Sequence, residues 1–312
     1  MAAGTGLESQ AGRKEASASS PFTLDVPRDC AVPVLLSVPH SGRDYRADLL
    51  GRMRDPSRTL LRLEDRHVDA IASEVARQTG AALLVATAPR AEIDLNRAPE
   101  DMDWGMVTGS QKARAEARRG ALATRRSRGG LGLVPRRLAG LGEIWRGAME
   151  EGELQRRIDT VHRPYHVALA QTLEAIRDRW GAALLLDIHS MPPLKPAGSK
   201  PAAEFVIGDR FGASCDGMLS ARALRALGAQ SRPVAHNRPY AGGYVLDRHA
   251  APRRGIHAMQ LEICRATYLD SRLDEPSARV GAVARSIVGL VRELASDVAL
   301  IGQGGDLPLA AE

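Results

Sequence analysis

Short apolar runs recur along the chain at Val32 to Val38, Ala82 to Thr87, Ala183 to Ile188, Glu204 to Ile207 and Ala258 to Ile263. Most are bounded by turn-forming or polar residues. Continuous runs of this length, without alternation, predict strands buried on both faces. Between them the period changes. Val68, Ile71, Ala72 and Val75 recur at helical spacing, and the pattern stops at Thr79 and Gly80, where a C-terminal cap is expected. One helix therefore links the first two strands. A second helical stretch runs from Leu154 to Trp180, with an interruption expected at Pro164, and feeds the strand at Ala183. Helices near Cys215 to Leu227 and Ser277 to Leu294 continue the alternation. This order predicts an α/β fold with a central, mostly parallel sheet covered on both faces. The segment Gln111 to Arg137 has no hydrophobic period outside Leu131 to Val134 and reads as an excursion from the sheet. It is either a solvated basic loop or a segment that closes over an anionic substrate.

The length of 312 residues accommodates one such domain, here taken as residues 21–300, with residues 1–20 and 301–312 as tails. Aromatic residues make up only 4% of the chain, so aliphatic side chains must build the core. The formal charge of +6 raises the question of nucleic acid. The basic residues are mostly Arg, dispersed and without interleaved aromatic residues to stack bases, so nucleic-acid binding is not expected. A local Arg cluster instead suits a small anionic substrate. Cys30, Cys215 and Cys264 are far apart and lack the spacing of thiolate metal sites or disulfide frameworks, which suits a reducing cytoplasm. The first twenty residues are small and polar, unlike a signal peptide, and no run approaches the roughly 18 apolar residues that span a bilayer. No membrane association is expected, and assembly into a homo-oligomer stays open.

Open α/β sheets place their sites beyond the carboxyl ends of the strands. Polar residues concentrate there. Pro39-His40-Ser41-Gly42 follows the first run, Ala88-Pro89-Arg90 and Asp94-Leu95-Asn96-Arg97 follow the second, and Asp187-Ile188-His189-Ser190 ends the third. A catalytic zinc site needs three N or O ligands and an open position, and His40 and His189 supply two. Asp65 and Glu64 are candidates for the third, although the same positions suit the start of a helix. His67 is an alternative ligand or a partner of one, and Asp187 either orients a ligand or ends its strand. Glu262 lies inside the apolar run Met259 to Cys264, where a carboxylate is costly without a partner or a task. It is the candidate catalytic base, with Arg265 as the structural partner if it is not. Arg97 and Arg90 offer planar forks for substrate carboxylates, and Asn96 offers an amide. Asp94 orients its neighbours. Tyr240 and Gly243 lie in Asn237 to Tyr244, either a loop that approaches the substrate closely or an ordinary tight turn.

Taken in order, VPHSG, LEDRHVD, APRAEIDLNR, DIHSMP, NRPYAGGY and GIHAMQLEICRATYLD resemble the N-formylglutamate amidohydrolase family from Val34 to Asp270. That family is similar to the zinc carboxypeptidase and aspartoacylase group, which implies three α/β/α layers around a mixed sheet. The resemblance supports His40 and His189 as metal ligands, Asn96 and Arg97 as the carboxylate element, and Glu262 as the base. One departure is visible. Where the carboxypeptidase pattern has a glutamate three positions after the first histidine, Arg43 stands here, and Asp65 is taken as its replacement. Gly129 to Gly132, Arg136 and Pro164-Tyr165-His166 are implied to belong to the family framework. The implied activity is hydrolysis of N-formyl-L-glutamate, or a similar small anionic N-acyl amino acid, to formate and glutamate in histidine breakdown. One divalent ion, zinc by resemblance, would serve it. The rivals are a hydrolase of the same fold with another acyl or peptide substrate, and a non-catalytic anion-binding protein.

Overall fold

The computed structural model describes residues 20–109, 111, 129–196, 198 and 201–304. All five apolar runs are strands, extended or trimmed by one to three residues at their ends. The main sheet comprises β1 (Phe22–Asp25), β2 (Val34–Val38), β3 (Ala82–Ala86), β4 (Ala183–Met191), β5 (Phe205–Gly208), β6 (Val234–His236) and β7 (Ile256–Cys264). Their spatial order is β1-β3-β2-β4-β7-β5-β6. The pairs β3–β2, β2–β4, β4–β7 and β5–β6 are parallel, while β1–β3 and β7–β5 are antiparallel. The sheet is therefore mixed and mostly parallel.

Alternation along the strands divides the core into two layers. Val34, Leu36, Val38, Leu184, Leu186 and Ile188 face α3 (Val68–Thr79), α6 (Gly217–Ala229) and α8 (Val280–Gly302). Leu35, Ala183, Leu185, Ile256 and Ala258 face the other way, onto α1 (Ala47–Gly51), α2 (Pro56–Leu63), α5 (Arg163–Trp180) and α7 (Tyr244–His249). This is the three-layer arrangement. On the second face the apolar positions give way to polar ones at the carboxyl ends: Ala183 and Leu185 are followed by Asp187 and His189, and Ile256 and Ala258 by Gln260 and Glu262. Side chains two apart on a strand share a face, so the polar pairs continue the core layer into a site.

Two expectations change. The helical stretch from α4 (Glu151–Arg157) to α5 runs on without a break, and its interruption takes the form of a π-helical turn at Ile158–His162, just before Pro164. His162 and Arg163 keep right-handed helical geometry, so Pro164 sits inside a continuous helical stretch, and the widened turn ahead of it accommodates the missing N–H. The described part of the Arg-rich segment is no solvated loop. Leu133 and Val134 are fully buried, and the Leu133 carbonyl accepts from the Asp94 N–H at 2.7 Å. Residues 112–128 lie outside the described residues, as do 1–19 and 305–312 of the expected tails. Helix α8 continues to Gly302. Among the described residues no helix is long and apolar enough to cross a membrane.

Candidate active site

His40 lies two residues beyond β2, and the turn between α2 and α3 docks on it through the Asp65 N–H, which donates to the His40 carbonyl at 2.9 Å. Asp65 is thereby carried to the end of the sheet, beside His189 on β4. His40 Nδ1 and His189 Nδ1 are 3.1 Å apart, and Asp65 Oδ2 lies 3.1 Å from the second and 3.5 Å from the first. All three residues are buried. The alternatives are placed elsewhere: Glu64 pairs with Arg66 at 3.1 Å, and His67 starts α3 in a left-handed conformation, 3.8 Å from Glu275.

Each imidazole has its outer nitrogen against a fully buried carboxylate. His40 Nε2 is 2.8 Å from Asp94, and His189 Nε2 is 2.8 Å from Asp187. A carboxylate only accepts, so each Nε2–H donates outward and, in a neutral ring, the Nδ1 lone pair faces inward. The carboxylates are themselves fixed. Asp187 accepts from Ser37 Oγ at 2.8 Å, and Ser37 meets the Tyr165 hydroxyl at 2.9 Å. Asp94 accepts from Arg90 Nε at 2.9 Å and from the Asn96 N–H at 2.8 Å. Burial alone would raise the pKa of Asp65, but its hydrogen bonds to His189 and His40 hold the carboxyl well below the usual range. Burial would lower that of His189, but the Asp187 charge and hydrogen bond carry it well above the ordinary value. The centre thus calls for positive charge.

A divalent ion fits that demand. The donor atoms of His40, Asp65 and His189 all lie within 4.8 Å of one another. Ligands about 2.0–2.1 Å from a tetrahedral ion stand roughly 3.3 Å apart, close to the observed separations. Two nitrogens and one carboxylate oxygen are the donor set of a borderline ion with an open position.

The three donor residues line a cavity of about 530 Å³. The structure brings His40, Asp65, His189, Glu262, Arg97, Asn96, Arg90, Tyr240 and Gly243 to its wall, while Glu64, His67, Asp94 and Asp187 do not line it. Glu262 lies opposite His189 in the β7–β4 register and accepts from Gln260 Nε2 at 2.9 Å. Burial, reinforced by the Asp65 charge against the opposing pull of His189, pushes its pKa up to about 7. Arg265 is not its partner. That guanidinium instead binds Asp65 Oδ1 at 3.2 Å, Ser190 Oγ at 3.0 Å and the Leu61 carbonyl at 3.2 Å, pinning the α2–α3 turn to the sheet. A Cβ on Gly243 would lie 2.5 Å from Asn96 Oδ1, so close approach, rather than backbone freedom, requires glycine there. The Val245 N–H donates to the same oxygen at 2.9 Å. Arg62, Ser190 and Gln260 also line the cavity and were not foreseen. Gln260 had a legible signal, since it shares a strand face with Glu262.

The relatives of this α/β/α protein place it among the hydrolases that cleave linear C–N amide bonds. The sequence model of N-formylglutamate amidohydrolase matches residues 32–269, and the chain belongs to that family. It is 29% identical over 270 residues to the N-formylglutamate deformylase of Pseudomonas aeruginosa, covering 84% of this chain and 91% of that protein. The Pseudomonas putida N-formylglutamate deformylase is 30% identical over 246 residues, covering 77% and 82%. The crystal structure of N-formylglutamate amidohydrolase from Ralstonia eutropha JMP134 superposes with a TM-score of 0.79 at 32% identity, covering 89% of this chain and 98% of that one.

Proposed function

We propose that the protein hydrolyses N-formyl-L-glutamate to formate and L-glutamate, with His40, Asp65 and His189 holding one divalent ion, zinc by donor type. The observation that carries this reading is the convergence of three inward-facing donors beside an elevated glutamate, in a cavity that also holds Arg97 and Asn96. The names of the Pseudomonas and Ralstonia relatives support the acyl and amino-acid identity. Three free, buried cysteines suit a cytoplasmic enzyme.

Arg97 and Asn96 take the substrate carboxylates, assisted by Arg90, whose guanidinium is oriented by Asp94. Tyr240 and the backbone at Gly243 close the other wall. A divalent ion at the three donors supplies Lewis acidity toward the formyl oxygen and toward water. Glu262 accepts the proton of the attacking water as the C–O bond forms, then returns it to the nitrogen as the C–N bond breaks, so that glutamate leaves as an amine. Burial raises the Glu262 pKa, which strengthens it as a base, and its place in the cavity beside His189 lets one carboxyl serve both directions of transfer.

The test is formate release from N-formyl-L-glutamate beside N-formyl-L-aspartate, deformylation beside deacetylation of N-acetyl-L-glutamate, and cleavage of a C-terminal dipeptide. Selective turnover of the first substrate is expected. Preference for another member of the panel would move the assignment to a different acyl or amino-acid specificity.

A further inference from the structure

Three histidines outside the proposed metal centre form a second buried cluster. His162 closes the π-helical turn, His166 follows one turn later on α5, and His249 ends α7. The rings of His162 and His166 are 4.4 Å apart and those of His166 and His249 are stacked at 5.2 Å. Their polar contacts are directed. His162 Nε2 lies 2.9 Å from the Arg97 carbonyl, and His166 Nε2 lies 3.0 Å from the Leu95 carbonyl. A carbonyl only accepts, so both Nε2 atoms carry protons. Neutral His166 then presents its Nδ1 lone pair to His249 Nε2, 2.9 Å away, which must donate. The two carbonyls so held flank Asn96, the residue between them.

We infer that His166 and His162 are positioning residues: through the Leu95 and Arg97 carbonyls they fix the loop that presents Asn96 and Arg97 to substrate carboxylates, and His249 fixes the tautomer of His166. Burial lowers the pKa of all three, that of His166 to well below the ordinary value and that of His249 to about 3, which keeps the relay neutral. Leucine would fill the same volume without a donor, whereas glutamine places an N–H near the position of Nε2 and can still accept from His249.

The inference rests on the proposed substrate class only for its kinetic readout. Backbone hydrogen exchange over residues 94–97 in the free, full-length protein reads the loop directly. Exchange about tenfold faster in His166→Leu and His162→Leu is expected, with protection restored in His166→Gln and His162→Gln. KM for N-formyl-L-glutamate should rise roughly tenfold in the leucine variants while kcat stays within about twofold, as loss of one buried hydrogen bond suggests. Wild-type exchange in either folded leucine variant would overturn the inference. A wild-type enzyme inert toward N-formyl-L-glutamate would count against the substrate assignment alone, leaving exchange to decide the role of the histidines. Should one leucine variant not fold, the other carries the same comparison.

Discussion

Replacing Glu262 with glutamine should inactivate the enzyme and stabilise the metal-free protein at alkaline pH. Burial raises the Glu262 pKa from 4.5 to about 7, so the folded state holds a proton that the unfolded state releases. The sign follows from linkage: below about pH 4.5 the side chain costs nothing, through the window from 4.5 to 7 the native state loses stability, and above it the whole cost is present. At 1.36 kcal/mol per pH unit that cost is roughly 3 kcal/mol. The Glu262→Gln side chain would keep the shape and still accept from Gln260, so the substitution removes the charge alone. Denaturant unfolding of chelator-treated wild type and Glu262→Gln, at pH 5.5, 7 and 8.5, measures the difference. Treatment with chelator matters because a bound cation favours the carboxylate. The variant should gain about 1.4 kcal/mol at pH 5.5 and about 3 kcal/mol at pH 8.5. A stability difference independent of pH would refute the reasoning, as would wild-type turnover by the variant.

Other perturbations test the surroundings of the centre. Asp187→Asn removes the charge behind His189 and should weaken zinc affinity about 10- to 100-fold, measured by competition with a chromogenic chelator in protein that melts normally. Unchanged affinity would mean that Asp187 does not support His189 as a ligand. Gly243→Ala brings a methyl within 2.5 Å of Asn96 Oδ1 and should raise KM for N-formyl-L-glutamate by about tenfold, with a smaller effect on kcat. Wild-type kinetics in that variant would separate Asn96 from substrate binding.

Strands buried on both faces are legible because each carries a run of consecutive apolar residues, and β2, β3, β4, β5 and β7 all showed. The two that did not, β1 and β6, are the edges of the sheet, where Thr23, Leu24 and Asp25 face solvent and Val234 and Ala235 are only half-buried. Edge strands have no continuous apolar signature. Candidate donor types were readable at strand ends, but the placing of Asp65, rather than Glu64 or His67, beside the two histidines depends on a turn: its N–H bonds His40, and left-handed His67 then directs the chain into α3. Composition carries no record of that hinge. The histidine cluster escaped for a similar reason, since His162 and His166 read as ordinary helix positions and His249 lies 83 residues beyond His166. Pro164 marked the place of the helix irregularity, but its form, a π-helical turn rather than a break, depends on how the preceding turn accommodates the missing N–H.

The assignment of His40, Asp65 and His189 as ligands of one catalytic ion is tested most directly by counting metal against turnover. Purified protein is stripped with chelator and zinc is titrated back, with bound metal and formate release from N-formyl-L-glutamate followed together. Activity should vanish on stripping and return linearly to a plateau at one ion per chain, and His189→Ala should neither bind the ion tightly nor turn over. Full turnover by protein shown to be metal-free would contradict it.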